Sequence, residues 1–138
     1  MKLNFSFLIF LLIVFVNTST LAQEKYALTI EIEGIKKKEG SVLVMLSDSK
    51  ESFLHTGEGF KAAVKDHKAT VTYHVKKGEY AFSFFHDKND NGKFDTNFLG
   101  IPKEPYGFSN NARGFMGPPS YEKAKFIINK DTKLSVSF

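Results

Sequence analysis

Cysteine and tryptophan are absent from the 138 residues, arginine occurs once, at Arg113, and proline only four times. Without cysteine the chain has no disulfide, no thiolate nucleophile and no iron–sulfur or zinc–thiolate centre, so any bound metal must be held by oxygen or imidazole. The basic excess is mild, 19 Lys and Arg against 15 Asp and Glu, and it is not gathered into a face of the kind that grips nucleic acid. Its tightest run, Lys36-Lys37-Lys38, reads as a solvated turn. Beyond the first residues no stretch approaches the roughly 20 apolar residues of a membrane-crossing helix, so no membrane span is expected. Sustained helical periodicity and alternating strand-helix units are also missing, which excludes helical bundles and doubly wound folds.

The N-terminus reads as an export signal. Met1-Lys2 is a short basic start, Phe5 to Val16 is apolar apart from Ser6, and Thr20-Leu21-Ala22 offers small residues at the cleavage positions. Residues 1–22 are therefore expected to be a signal peptide and 23–138 a single domain, secreted or periplasmic. Removing the signal takes away Lys2 and no acid, leaving 18 basic and 15 acidic residues, a net charge of +3.

What remains is rich in strand patterns. Tyr26 to Glu33 alternates, with Leu28, Ile30 and Ile32 on one face and Thr29, Glu31 and Glu33 on the other. Ser41 to Leu46 is apolar on both faces, as in a covered central strand. Ala69 to Val75 alternates again, Tyr80 to Phe85 is Phe-rich, and Ala124–Ile128 and Leu134–Phe138 flank the polar turn Asn129-Lys130-Asp131-Thr132. Ser47 to Asp66 carries no clear period. Six or seven short strands over about 110 residues point to an all-β fold, a single antiparallel β-sandwich of Ig-like or prealbumin-like type. Eleven Phe and five Tyr beyond the signal supply its core.

Residues 94–121 break the pattern with 28 residues that contain all four prolines and no strand-like run. A loop of that length in a compact domain is functional or is held by something other than secondary structure. Immediately before it stands His86-Asp87-Lys88-Asn89-Asp90-Asn91-Gly92-Lys93-Phe94-Asp95. Asp87, Asn89, Asn91 and Asp95 fall at the first, third, fifth and ninth positions of a calcium loop, with glycine at the sixth and the Lys93 carbonyl at the seventh. Ca²⁺ takes six to eight hard oxygens, and alternate residues of a curled loop point inward to supply them. The twelfth position, ordinarily a bidentate Glu, is Phe98, and the approach is a strand, so a helix-loop-helix hand is not expected. Glu104 is the nearest carboxylate able to complete the set. The competing reading is a plain polar turn, since Asn-Gly is a strong turn signal.

His86, at the strand end, reads as packed on an aromatic neighbour; His55, His67 and His74 lack metal-ligand spacing. An acid pair for glycoside hydrolysis drawn from Glu79, Asp87 and Glu104 is the enzymatic alternative. Once ordered, the loop would offer Tyr106, Phe108, Asn110, Asn111, Arg113 and Phe115 as a surface suited to a carbohydrate or peptide ligand.

The run from Gly78 to Asn111, together with Pro119-Ser-Tyr-Glu-Lys-Ala-Lys-Phe126, resembles the secreted bacterial family known as domain of unknown function twenty-one forty-one. The likeness implies a secreted sandwich and carries no activity. The lead-in Lys77-Gly-Glu-Tyr-Ala is also similar to prealbumin-like and collagen-adhesin repeat sandwiches with neighbouring calcium loops. Transthyretin-like hydroxyisourate hydrolases end in Tyr-Arg-Gly-Ser, whereas this chain ends Leu134-Ser-Val-Ser-Phe138. The expected function is thus a secreted, calcium-stabilised binding module whose ion orders residues 94–121. The alternatives are a secreted hydrolase using loop carboxylates or a metal-free, envelope-associated structural domain.

Overall fold

The computed structural model describes residues 23–138; the expected signal peptide lies outside them. Among the described residues eight strands form in chain order: β1 Lys25–Glu33, β2 Ser41–Ser47, β3 Glu58–Ala63, β4 Ala69–Lys76, β5 Gly78–Asp87, β6 Tyr106–Phe108, β7 Phe126–Ile128 and β8 Thr132–Ser137. One sheet has the order β4-β1-β8; the other runs β3-β2-β5-β6, with β7 also paired to β5. The all-β sandwich read from the sequence is the architecture found. It departs from a purely antiparallel one at a single place among the described residues, where β8 runs parallel to β1 with Leu28 opposite Thr132 and Glu33 opposite Ser137.

Alternation decides which faces meet. Leu28, Ile30 and Ile32 of β1, Val71, Tyr73 and Val75 of β4, and Val136 of β8 are buried against Val42, Val44 and Leu46 of β2 and Phe82 and Phe84 of β5 in one apolar cluster. Each such side chain contributes about 1.5–3 kcal/mol when fully buried. Tyr73 spends its hydroxyl on the carbonyls of Val44 and Glu58, at 3.1 and 3.3 Å, which stitches the two sheets together. Burial pushes that phenol far above its ordinary range. On β2 the outward Met45 is partly exposed, so that face is less covered than its composition implies.

Strand β5 is apolar on both sides for a different reason. Its outer face carries a second cluster, Ala81 with Phe53, Phe108, Tyr121 and Ala124. The segment after β5 folds back over the sheet, and a row of rings follows it. Phe85 meets Phe94 at 5.2 Å, Phe94 meets Tyr106 at 5.6 Å and Tyr106 meets Phe108 at 5.9 Å. Phe53 then contacts Phe108 at 6.3 Å and Tyr121 at 5.7 Å, both edge to face. Residues 94–121 are therefore not free of regular structure, as the sequence suggested. They contain β6, a 3-10 turn at Ser109–Asn111 and the start of the one-turn helix α1, Tyr121–Ala124.

Gly107 permits that fold-back, because a Cβ there would strike the ring of Phe84 across the β5–β6 pair. Beyond Phe108 the strand ends where Asn110 and Asn111 both take left-handed backbone angles, at φ 60° and 50°, a conformation that Asn tolerates better than most residues.

Candidate functional site

At the end of β5 the chain turns through the Asp/Asn run. Asp87 is fully buried, and its two oxygens accept backbone N–H groups, Oδ1 from Asn91 at 3.1 Å and Oδ2 from Gly92 at 2.7 Å. Gly92, at φ 74°, supplies the sharp turn that brings those donors round. Gly40 lies on the other side of Asp87, at φ 80°, where a Cβ would run into the Asp87 carbonyl.

Glu104 closes the loop from beneath. It is buried, and its carboxylate spans the two ends of the run, Oε1 accepting from the Lys88 N–H at 3.0 Å and Oε2 from the Asp95 N–H at 3.1 Å. The backbone repeats the tie, with the Lys103 N–H bonded to the Asp95 carbonyl at 2.9 Å and that of His86 to the Pro105 carbonyl at 2.9 Å.

Asp95 is the point on which the loop side chains converge. Its carboxylate accepts the Asn89 amide at 2.8 Å and the Asn91 amide at 3.1 and 3.0 Å. Those amide donors, then the charges of Lys103 and Lys93, hold the Asp95 carboxyl below its ordinary range. Asn91 Oδ1 in turn accepts the Lys93 N–H at 2.8 Å. The Lys93 carbonyl enters no hydrogen bond among the described residues.

The four loop positions singled out from the spacing are thus brought together, with Glu104 across their base. Among the described residues no cluster of three or more His, Asp or Glu side chains is arranged to grip a metal, because the Asp87 and Glu104 oxygens face backbone donors and the Asn89 and Asn91 amides present nitrogen to Asp95. Offering the oxygens of those amides to an ion would require opening the bonds they now accept, from the Asn91 N–H to Asn89 Oδ1 at 3.2 Å and from the Lys93 N–H to Asn91 Oδ1 at 2.8 Å. None of Asp87, Asp95 and Glu104 forms an ion pair among the described residues.

Asp90 stands apart from this centre, at φ 59°. It pairs with Lys61 of β3 at 2.8 Å and accepts a hydrogen bond from the Ser41 hydroxyl. Lys61 above all, then Ser41, holds its carboxyl below the usual value. Its two partners lie on strands distant in the chain and left no local signal.

His86 donates through Nε2 to the Glu39 carbonyl at 2.8 Å and lies 6.3 Å from the Phe138 ring, the packed role its position suggested. Glu79 sits at the opposite end of β5 from Asp87, roughly 26 Å away at strand rise. It pairs with Lys125 at 3.1 Å. That separation exceeds the spacing of any glycosidase acid pair, so Glu79 leaves the enzymatic alternative.

A family model described as an uncharacterized protein conserved in bacteria, DUF2141, matches residues 30–136, from within β1 to within β8 and across the whole Asp/Asn loop. The chain belongs to this family. No curated protein matches the sequence.

In this DUF2141 chain the surface expected for a ligand is only partly displayed. Phe108 is a correction: it is buried on the outer face of β5, because its partner in the ladder, Ser83, faces the second apolar cluster. Asn110 gives its amide to the carbonyls of Ala124, at 3.1 Å, and Lys125, at 2.8 Å. Asn111 accepts the Ser137 N–H at 3.0 Å and so ends β8. Both amides are committed to holding the backbone. Tyr106, Arg113 and Phe115 are exposed.

One anchor escaped the sequence altogether. Ser109 is fully buried; its hydroxyl accepts the Phe82 N–H at 3.0 Å and donates to the Ala124 carbonyl at 2.7 Å. It takes over the β5 ladder where β6 stops. A lone Ser between aromatic and Asn residues carries no sequence mark of that role.

Proposed function

We propose that the protein is an exported β-sandwich binding module in which one Ca²⁺ ion, held by Asp87, Asn89, Asn91, the Lys93 carbonyl and Asp95, rigidifies the loop that Glu104 closes. The observation that supports this reading is the gathering of the Asn89 and Asn91 amides on Asp95, beside buried Asp87, with no cation paired to any of these carboxylates among the described residues. A buried carboxylate without a counter-charge is costly, and a hard divalent ion is the partner that such an oxygen set fits.

Two ligand carboxylates make a modest site. Extracellular modules of this kind bind at roughly 10⁻⁴–10⁻³ M. At free Ca²⁺ about 100 times the dissociation constant, linkage adds ~2.7 kcal/mol to stability. The ion does structural work here, and the exposed Tyr106, Arg113 and Phe115 supply aromatic faces and a guanidinium for a carbohydrate or peptide.

Thermal melts of the purified protein in excess Ca²⁺, in chelator and in excess Mg²⁺ test the reading. A calcium-specific rise of roughly 10 °C is expected. Superimposed curves would show instead that the loop is complete with the hydrogen bonds it already has, the metal-free structural alternative.

A further inference from the structure

The turn that follows the Asp/Asn loop, between the bridged residues Thr96 and Pro102, carries three apolar side chains in water: Phe98 is 95% exposed, Leu99 68% and Ile101 55%. Exposure on that scale over successive large residues is unusual for a surface left in solvent. The space beside Gly100 is open as well, since a Cβ there would meet nothing within 4 Å.

Its backbone is closed on itself. The Asn97 side chain accepts the N–H groups of Leu99 at 2.9 Å and Ile101 at 3.0 Å. The Asn97 carbonyl accepts the Gly100 N–H at 3.0 Å, and the Asn97 N–H reaches the Ile101 carbonyl at 2.9 Å. Of the five donors from Asn97 to Ile101, all but that of Phe98 are satisfied within the turn. A strand-adding protein partner would need such donors free. A medium poor in hydrogen-bond acceptors needs them closed.

Charge points the same way. Lys93 and Lys103 flank the base of the turn and are both exposed, Lys103 being held there by its N–H on the Asp95 carbonyl at 2.9 Å. Three side chains present far less than the roughly 800 Å² per partner of a stable protein interface. Apolar insertion joined to cationic attraction is, by contrast, how small surfaces bind anionic bilayers.

We propose that the Phe98-Leu99-Gly100-Ile101 turn is a bilayer-docking tip, inserting its apolar side chains at the headgroup boundary of an anionic membrane while Lys93 and Lys103 meet the lipid phosphates. The proposal goes beyond the calcium reading and does not require it.

Co-sedimentation with phosphatidylglycerol-containing vesicles and with pure phosphatidylcholine vesicles tests it, at low and high salt, in calcium and in chelator. Binding is expected on the anionic vesicles and should weaken with salt. The pair Phe98→Ser and Leu99→Ser should lower partitioning about tenfold or more, and the pair Lys93→Gln and Lys103→Gln about tenfold on anionic vesicles alone. The serine pair should leave the melting temperature unchanged, since neither side chain is buried. Binding in either calcium or chelator supports the tip, while the melts judge the ion separately. Absence of binding to anionic vesicles, or binding indifferent to the serine pair, overturns the proposal. So does a concentration-dependent dimer that the serine pair splits in a protein that ignores vesicles.

Discussion

The chain between β5 and β7 is held in two halves by opposite chemistry. From Lys88 to Glu104 there is no strand; carboxylates and amides do most of the holding, Phe94 joins the ring row, and most side chains face water. From Pro105 to Lys125 the segment lies on the sheet, held by the ring row, the Gly107 approach to Phe84 and the buried Ser109 hydroxyl. The difference matters because a hydrogen-bonded polar loop gains little in water until a charge organises it, whereas ring burial stabilises with or without an ion. The expected influence of calcium on all of residues 94–121 therefore narrows to the first half. The second half is a platform, and the first is the part an ion can stiffen.

Asp87→Ala should break the first half most severely. It takes the charged acceptor from the part-buried Asn91 and Gly92 N–H groups, a cost of ~2–4 kcal/mol, and it removes a ligand of the proposed calcium ion. Melting should fall by roughly 10 °C even in chelator, and the calcium increment should vanish. Hydrogen exchange should quicken at Asn91 and Gly92 while staying slow in β6; matching loss in β6 would mean that the two halves are one cooperative unit.

Ser109→Ala is the mirror experiment. The Phe82 N–H loses its partner inside the sheet, at ~1–3 kcal/mol, or about 8 °C for a 2 kcal/mol loss. The calcium increment should be unchanged, because no loop oxygen is touched. A lost increment would show that the platform sets the loop geometry.

These contrasts also explain what the sequence could disclose. Period-two alternation marked β1 and β4 because each has one wet and one buried face, Thr29, Glu31 and Glu33 against Leu28, Ile30 and Ile32. It missed β3, whose Glu-Gly-Phe-Lys-Ala-Ala is nearly all exposed at a sheet edge and has no faces to distinguish. It missed β6, since three residues are too few for a period, and the parallel β1–β8 pairing, which depends on contacts more than a hundred residues apart. At the site, spacing found the residues that converge, because turn geometry is local. The partners that fix Asp90, and the Phe53 and Ser109 contacts, arise from distant strands and turns and were invisible to it.

Asp95→Asn separates ion binding from folding more gently. The replacement keeps the shape and removes one charge from the convergence point, so calcium affinity measured by titration calorimetry should drop about tenfold. The melt in chelator should move by a few degrees at most, since Asp95 is partly solvated. An unaltered affinity would place the ion elsewhere.

The smallest effect concerns acid. Asp90 and Asp95 both have carboxyls held below the ordinary value of 3.8 in the folded chain. A carboxyl depressed on folding contributes stability that is present above that value and is lost as the pH falls through it, because the unfolded chain then binds more protons. Melting in chelator should thus decline as pH is lowered from about 5 to about 3. Asp90→Asn removes the Lys61 pairing without touching the loop centre, so it should flatten part of that decline and leave the calcium increment at neutral pH intact. If the increment falls as well, the Asp90 tie to β2 and β3 helps to position the Asp/Asn loop, and the polar half rests on the sheet as firmly as the aromatic half does.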